Sequence, residues 1–300
     1  MVDTRLYFGL PGSVQEIWCP FGDVSGTRIR PTSTFQAAGG GTRVQRDRIG
    51  TRQYALNYGG LSDDAFRYLE AFDQGHMGSG PFVYLDPSRR NLLTVNQSSG
   101  TADSGSADGF VFVGGSGQSF GSSPLNAVGP RSMLWTSTAT APATAQMRMA
   151  SPSRDWPGWP VIPRPYSFGF WVTGAGADAI VDFTVKIDWV DVSGVLVSTS
   201  TSAGYTSSTT RQLMKLENAT PPAGAAFMQP YFAATGATIS TGTLLYFTGG
   251  QLNEGATLDP RWSPGTGILP VAVMGLQDTW ASRVPDFHKS PMLILQEVGM

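Results

Sequence analysis

A chain of 300 residues in which 41 % are hydrophobic and 11 % aromatic has ample material for packed cores and is long enough for about two of them, which excludes a disordered chain. Charged residues make up 14 % and the formal net charge is −2, so no general attraction to nucleic acid or to an acidic membrane is expected. So little charge also predicts a surface partly covered by neighbouring subunits, because typical soluble domains carry roughly a quarter charged residues.

The first residues, Met1-Val2-Asp3-Thr4-Arg5, lead into turn residues with no charged-then-apolar leader. No run approaches the ~18 apolar residues of a membrane span. The product is therefore expected to stay soluble where it is made. The single cysteine, Cys19, cannot close an intrachain disulfide and has no CxxC companion, so a buried small apolar residue is expected there.

Short aromatic and β-branched runs bounded by Gly, Pro and Asp predict strands at Leu6–Leu10, Val14–Trp18, Gln53–Tyr58 and Phe82–Leu85. One segment reads as a helix. Ser62 is placed to accept bonds from the first-turn amides, Asp63 and Asp64 complement the positive end of the dipole, and Ala65, Leu69 and Phe72 share a face. Gly75 can take the left-handed conformation that ends it. From Gln97 to Pro124 the chain is crowded with Ser and Gly, which suits a linker, yet Gly109-Phe110-Val111-Phe112-Val113 has the content of a strand and favours folded loops.

Beyond Pro165 the strands lengthen. Tyr166–Val172 is followed by Ile180–Val192, where Val181, Phe183, Val185, Ile187 and Trp189 alternate with Asp182, Thr184, Lys186 and Asp188. Period two over that length predicts one buried and one wet face. Ser193-Gly194 then turns the chain into Val195-Leu196-Val197, and further strands are expected at Leu213–Leu216, Ala226–Phe232 and Leu244–Phe247. Repeated strands with Gly/Ser/Thr-rich turns predict a jelly-roll β-sandwich. Pro270–Val273 and Met292–Val298 return to the style of the first segment. The expected class is mainly β, with residues 1–90 plus 265–300 forming a discontinuous β-sandwich domain with one short helix and 91–264 an inserted jelly roll.

The run Tyr58-Gly59-Gly60-Leu61-Ser62-Asp63-Asp64-Ala65-Phe66, continuing through Gly80-Pro81-Phe82-Val83-Tyr84-Leu85-Asp86-Pro87, resembles minor tail proteins of phages infecting actinobacteria and, more distantly, distal tail proteins. The closing Leu293-Ile294-Leu295-Gln296-Glu297-Val298 is similar to the final strand of such proteins. The resemblance covers the outer domain and implies a structural subunit of the virion, located in the phage tail and assembled in the host cytoplasm with other tail proteins as a homo-oligomeric ring or trimer. Asn91-Leu92-Leu93, Tyr166–Val172 and Gln251-Leu252-Asn253-Glu254-Gly255 resemble jelly-roll carbohydrate-binding modules. That second resemblance carries the fold more safely than the activity. It supplies the alternative of an adhesin that binds host cell-surface glycans.

No catalytic constellation emerges, and no enzyme activity or cofactor is expected. His76 and His288 lie far apart in sequence. Gly117-Gln118-Ser119-Phe120-Gly121 matches Gly-x-Ser-x-Gly by spacing, but Ser122-Ser123-Pro124 follows where that motif needs a helix. No GxGxxG or GxxxxGK[ST] opens a helix. Asp182 and Asp188 share the expected wet face, beside Asp191 at the turn, and solvation explains them. Asn253, Glu254 and Asp259 are oxygen-rich and suit calcium by chemistry, yet lack an EF-hand spacing and read as solvated loop groups. Trp156-Pro157-Gly158-Trp159-Pro160 holds two indoles in a stiff loop. Trp156 and Trp159 suit stacking on a glycan, a contact with another subunit, or packing over the end of their own sandwich. Trp171 and Trp189, within strands, are expected in the core.

Overall fold

The computed structural model describes residues 6–17, 24–29, 32–36, 42–46, 51–85, 91–100, 109–114, 118–138, 141–142, 145–176, 181–235, 238–259, 261–265, 267–277, 280–282 and 287–298. The chain divides into two compact units. One comprises Met1–Leu10, Gln15–Pro87 and Leu269–Met300, and the other Pro11–Val14 and Ser88–Ile268. Cys19, the Asp86-Pro87 end of the tail-like motif and the side chain of His288 lie outside the described residues.

In the discontinuous unit, seven strands form one sheet in the order Ser13–Ile17, Leu6–Leu10, Phe82–Leu85, Leu269–Gln277, Met292–Glu297, Thr51–Asn57 and Val24–Ile29. The C-terminal strands thus fill the centre of a sheet whose other members come from the N-terminal stretch. The Asp63–Asp73 helix begins where expected: Ser62 Oγ accepts from the amide of Ala65 at 3.4 Å, and Gly75 takes φ 74° beyond its end. Its Phe66, Leu69 and Phe72 join Leu6, Phe8, Leu56, Phe82, Val271, Leu293 and Leu295 in one core. Phe72 lies edge-on to Phe8 and Phe82, with ring centroids 4.8 and 4.9 Å away.

The inserted unit is a jelly-roll-type sandwich. One sheet runs Gln212–Ala219, Tyr166–Gly176, Thr243–Glu254, Ser132–Ser137 and Gln118–Ser123. The other runs Leu196–Thr201, Asp182–Val190, Phe227–Ala234, Gln146–Met149 and Phe110–Val113, with two short strands attached. Alternation sends Trp135, Phe168, Phe170 and Phe247 from the first sheet inward to meet Phe183, Phe232, Met147 and Trp189 from the second, all fully buried. Phe232 contacts Phe168 and Phe247 across the interior at centroid distances of 5.6 and 5.3 Å. Gly250 stands where a side chain would overlap the ring of Phe170.

The Ser/Gly-rich stretch folds wherever it is described. Phe110–Val113 is the expected strand, and Val95–Ser99 is a helix that periodicity missed. A capping box builds it: the Gln97 amide donates to Thr94 Oγ1 at 3.3 Å, while Gln97 Oε1 accepts from the Thr94 amide at 3.0 Å. One helical turn is too short to display an apolar stripe, so only the cap could have revealed it. Asn91 holds the entry of this unit through four bonds. Its Nδ2 donates to the carbonyls of Gly250 and Ser263 at 2.8 and 2.9 Å, and its Oδ1 accepts from the amides of Leu93 and Leu252, both at 3.2 Å.

Candidate functional site

The residues singled out for chemistry come first. Ser119 lies in the Gln118–Ser123 strand, opposite Thr136, and that strand continues where a nucleophile elbow would start a helix. His76 is exposed just after the first helix, and His288 belongs to a short strand opposite Ala281. Glu254 is paired with Arg164 at 2.9 Å, Asp259 Oδ1 accepts from the Arg261 amide at 2.9 Å, and Asn253 is buried in its strand. Among the described residues no group of three His, Cys, Asp or Glu could hold a metal ion.

Of the three readings of the tryptophan loop, the structure takes packing against its own sandwich and corrects the other two. Trp156 and Trp159 are 5 % and 0 % exposed, so neither offers a face to a glycan or another subunit. The cause is local: Trp159-Pro160 pairs with Phe227-Met228 as a short strand, and the Trp159 indole N–H donates to the Leu92 carbonyl at 3.2 Å. Gly158 presses against the carbonyl of Met228, where a side chain would collide. Trp156 is drawn in with it and packs 6.5 Å from the ring of Phe227. Trp171 corrects in the opposite sense. It is only half-buried, because plain alternation along its strand sends Phe168, Phe170 and Val172 inward and leaves Trp171 on the outer side. Trp189 is in the core as expected.

Asp188 is the larger surprise. It is 7 % exposed, although alternation puts it on the outer face with the exposed Asp182. The Asp182–Val190 strand is interior to its sheet, so Asp188 has Thr199 opposite on one side and Gln229 on the other. Arg148 reaches it from one strand further, closing an ion pair at 3.1 Å in which the two side chains are 24 % and 10 % exposed. Asp188 Oδ1 accepts from Thr199 Oγ1 at 2.7 Å and from the Tyr231 hydroxyl at 3.1 Å.

Every nitrogen of the Arg148 guanidinium is thereby assigned. Nη2 goes to Asp188, Nη1 donates to Gln229 Oε1 at 3.0 Å, and Nε donates to Gln146 Oε1 at 2.9 Å. The guanidinium lies over the Tyr231 ring, 4.3 Å from its centroid. Burial and the adjacent Asp188 carboxylate push the Tyr231 hydroxyl up to about 12. Gln229 is held from behind by the Pro157 carbonyl, 2.6 Å from its Nε2, so the buried Trp-Pro loop serves this face as a strut. Lys186, opposite both Tyr231 and Thr201, extends the row of polar heads.

Four strands thus lock a planar cation, a carboxylate, an aromatic ring and two amides into one arrangement. The arrangement suits recognition of a polar, hydroxyl-rich surface. The carboxylate is committed to Arg148, Thr199 and Tyr231. The sequence carried half the signal: Gln146 and Arg148 alternate with Met147 and Met149, and Gln229 and Tyr231 alternate with Met228, Pro230 and Phe232. Which strands lie side by side was not in the alternation.

No family model and no curated protein matches the chain. Among solved structures it is similar to the C-terminal family 22 carbohydrate-binding module of Clostridium thermocellum Xyn10B, with 16 % identity over 57 % of this chain and 96 % of that one and a TM-score of 0.39. It is similar also to TmCBM61, solved with beta-1,4-galactotriose, with 12 % identity over 56 % and 99 % of the two chains and a TM-score of 0.38. A third likeness is the enzymatically active domain of bacteriophage CBA120 tailspike protein 4, with 16 % identity over 55 % of this chain and 21 % of that one, at a TM-score of 0.38. At such identities and scores none of the three assigns a ligand or an activity to this chain.

Proposed function

We propose that the chain is an attachment component of a phage tail tip, in which the inserted jelly roll contacts a host-surface glycan and the discontinuous unit joins other tail proteins. The observation that carries the glycan part is the Arg148–Asp188–Tyr231 cluster with Gln146, Gln229 and Lys186. It sets the partly exposed heads of Gln146, Arg148, Lys186 and Gln229 on the outer face of one sheet, with Asp188 and Tyr231 buried beneath them to fix the guanidinium before any ligand arrives. A polyol chain offers the matching chemistry, many hydroxyls that both donate and accept. On this reading the protein binds and builds, and it catalyses nothing.

The tail part is supported by the motif itself. Ser62 caps the helix, Pro81 precedes the Phe82–Leu85 strand, and Met292–Glu297 completes the sheet that the N-terminal stretch begins. A charge-poor chain accords with a subunit whose surface is shared with neighbours.

Two experiments separate the parts. Purified chain titrated with cell-wall polysaccharide from an actinobacterium is expected to bind it, and the double variant Arg148→Met/Asp188→Leu is expected to lose that binding while staying folded. Equal binding by the parent and the variant would remove the site. Antibody raised against residues 91–264 is expected to label the tail tip of intact particles in electron micrographs, and unlabelled particles with the protein free in the lysate would remove the tail assignment.

A further inference from the structure

The Leu196–Thr201 strand is the end of its sheet: it pairs with Asp182–Val190 on one side, and among the described residues no strand pairs with its other edge. An exposed edge presents a row of unpaired amides and carbonyls, and natural sheets usually guard it with charge, proline or a cover. Here charge and proline are both missing. From Val192 to Thr210 the chain contains no charged residue and no proline. Val195, Leu196 and Val197 are 62, 58 and 41 % exposed, so apolar side chains flank the open edge.

We propose that this edge is an assembly surface whose occupant is the same strand of a second copy of the chain, added antiparallel about a two-fold axis. Strand direction tells against a head-to-tail partner. Each neighbouring pair along Leu196–Thr201, Asp182–Val190, Phe227–Ala234, Gln146–Met149 and Phe110–Val113 is antiparallel. Four reversals leave the two end strands running in the same direction. Head-to-tail repetition, one copy's Phe110–Val113 against the next copy's Leu196–Thr201, would therefore make a parallel junction in an otherwise antiparallel sheet.

Self-pairing of Leu196–Thr201 keeps the sheet antiparallel throughout, which is the slightly more stable ladder. It is also self-complementary, as a two-fold contact requires. The lack of charge matters for the same reason: any charge on the strand would meet its own copy across the axis, and there is none to repel. The axis of such a pair runs along the sheet normal, so the two polar faces described above lie on the same side of the joined sheet. The pairing itself does not rest on the glycan reading.

Sedimentation velocity of the full chain over a concentration series, with hydrogen exchange at low and high concentration, tests this. The parent is expected to dimerise, and the amides of residues 196–201 are expected to slow as concentration rises. Leu196→Lys, at an exposed position, puts like charges together across the axis and is expected to weaken dimerisation by about tenfold or more, with its circular dichroism unchanged and its thermal midpoint equal to the parent's at concentrations where both are monomeric. A parent that stays monomeric overturns the proposal. So does a dimer that Leu196→Lys leaves intact, or one in which exchange at residues 196–201 is independent of concentration.

Discussion

The discontinuous unit and the inserted sandwich bury their aromatic rings alike but treat polar groups differently. In the first, Phe8, Phe66, Phe72 and Phe82 close a core between sheet and helix, and the helix directs its charged Asp63 and Arg67 to solvent. In the second, a comparable aromatic interior is backed by an outer sheet face that takes a carboxylate nearly out of water and satisfies it with a cation and two hydroxyls. Burying such a pair does little for stability compared with well-packed apolar residues of similar volume. The difference teaches that the sandwich carries polar order its stability does not require, which is the order the proposed glycan site uses.

The sharpest way to expose that contrast is to attack each interior. Phe72→Ala in the discontinuous unit and Trp189→Ala in the sandwich are each expected to cost about 3–5 kcal/mol, since both remove a large buried ring. Denaturant unfolding measures the loss. Amide exchange should quicken chiefly in the unit that carries the change, and an equal quickening in both would erase the distinction.

Asp188→Ala is expected to destabilise by roughly 3 kcal/mol, because Arg148 is left without its counter-charge in a mostly buried setting. Arg148→Met/Asp188→Leu should restore stability to within about 1 kcal/mol of the parent. A double variant as unstable as the single one would show that the pair is needed for folding, and the contrast between the units would fail.

Tyr231→Phe removes one hydrogen bond to Asp188 and is expected to cost about 1 kcal/mol near neutral pH. Its pH dependence has a definite sign. The folded hydroxyl holds its proton to about 12, above the ordinary value of 10.0, so its contribution is complete below the unfolded value and is lost as pH rises through the folded one. The gap between parent and Tyr231→Phe should therefore change only on the alkaline side.

The smallest effect belongs to the exposed turn. Asp191 accepts from the hydroxyl of Ser193 and from the amides of Ser193 and Val195 at 2.7, 2.8 and 2.9 Å, and these bonds hold its carboxyl below the usual carboxylate range. A lowered folded value stabilises above the unfolded one and loses that effect as pH falls. Asp191→Asn should lower the thermal midpoint slightly at neutral pH, by an amount that shrinks in acid.

Much of this protein was legible in the order of its residues. Alternation over 182–190 and the Ser62-Asp63-Asp64 cap depend on neighbours within a few residues, so local chemistry alone determined that strand and that helix. It also determined the Asp191-Ser193-Gly194 turn, where a carboxylate reaches amides two and four residues on. The fate of the Trp156–Trp159 loop was decided elsewhere. Display and packing both suit Trp156 and Trp159 until Phe227-Met228 pairs with their loop, whereas Trp171 faces outward by the plain alternation of its own strand. Asp188 likewise alternates as a solvated residue. Its burial follows from Arg148, Thr199 and Tyr231, which lie 40, 11 and 43 residues away in the chain and meet only through strand order. Burial and charge pairing depend on what lies across the sheet, a contact that no local pattern encodes.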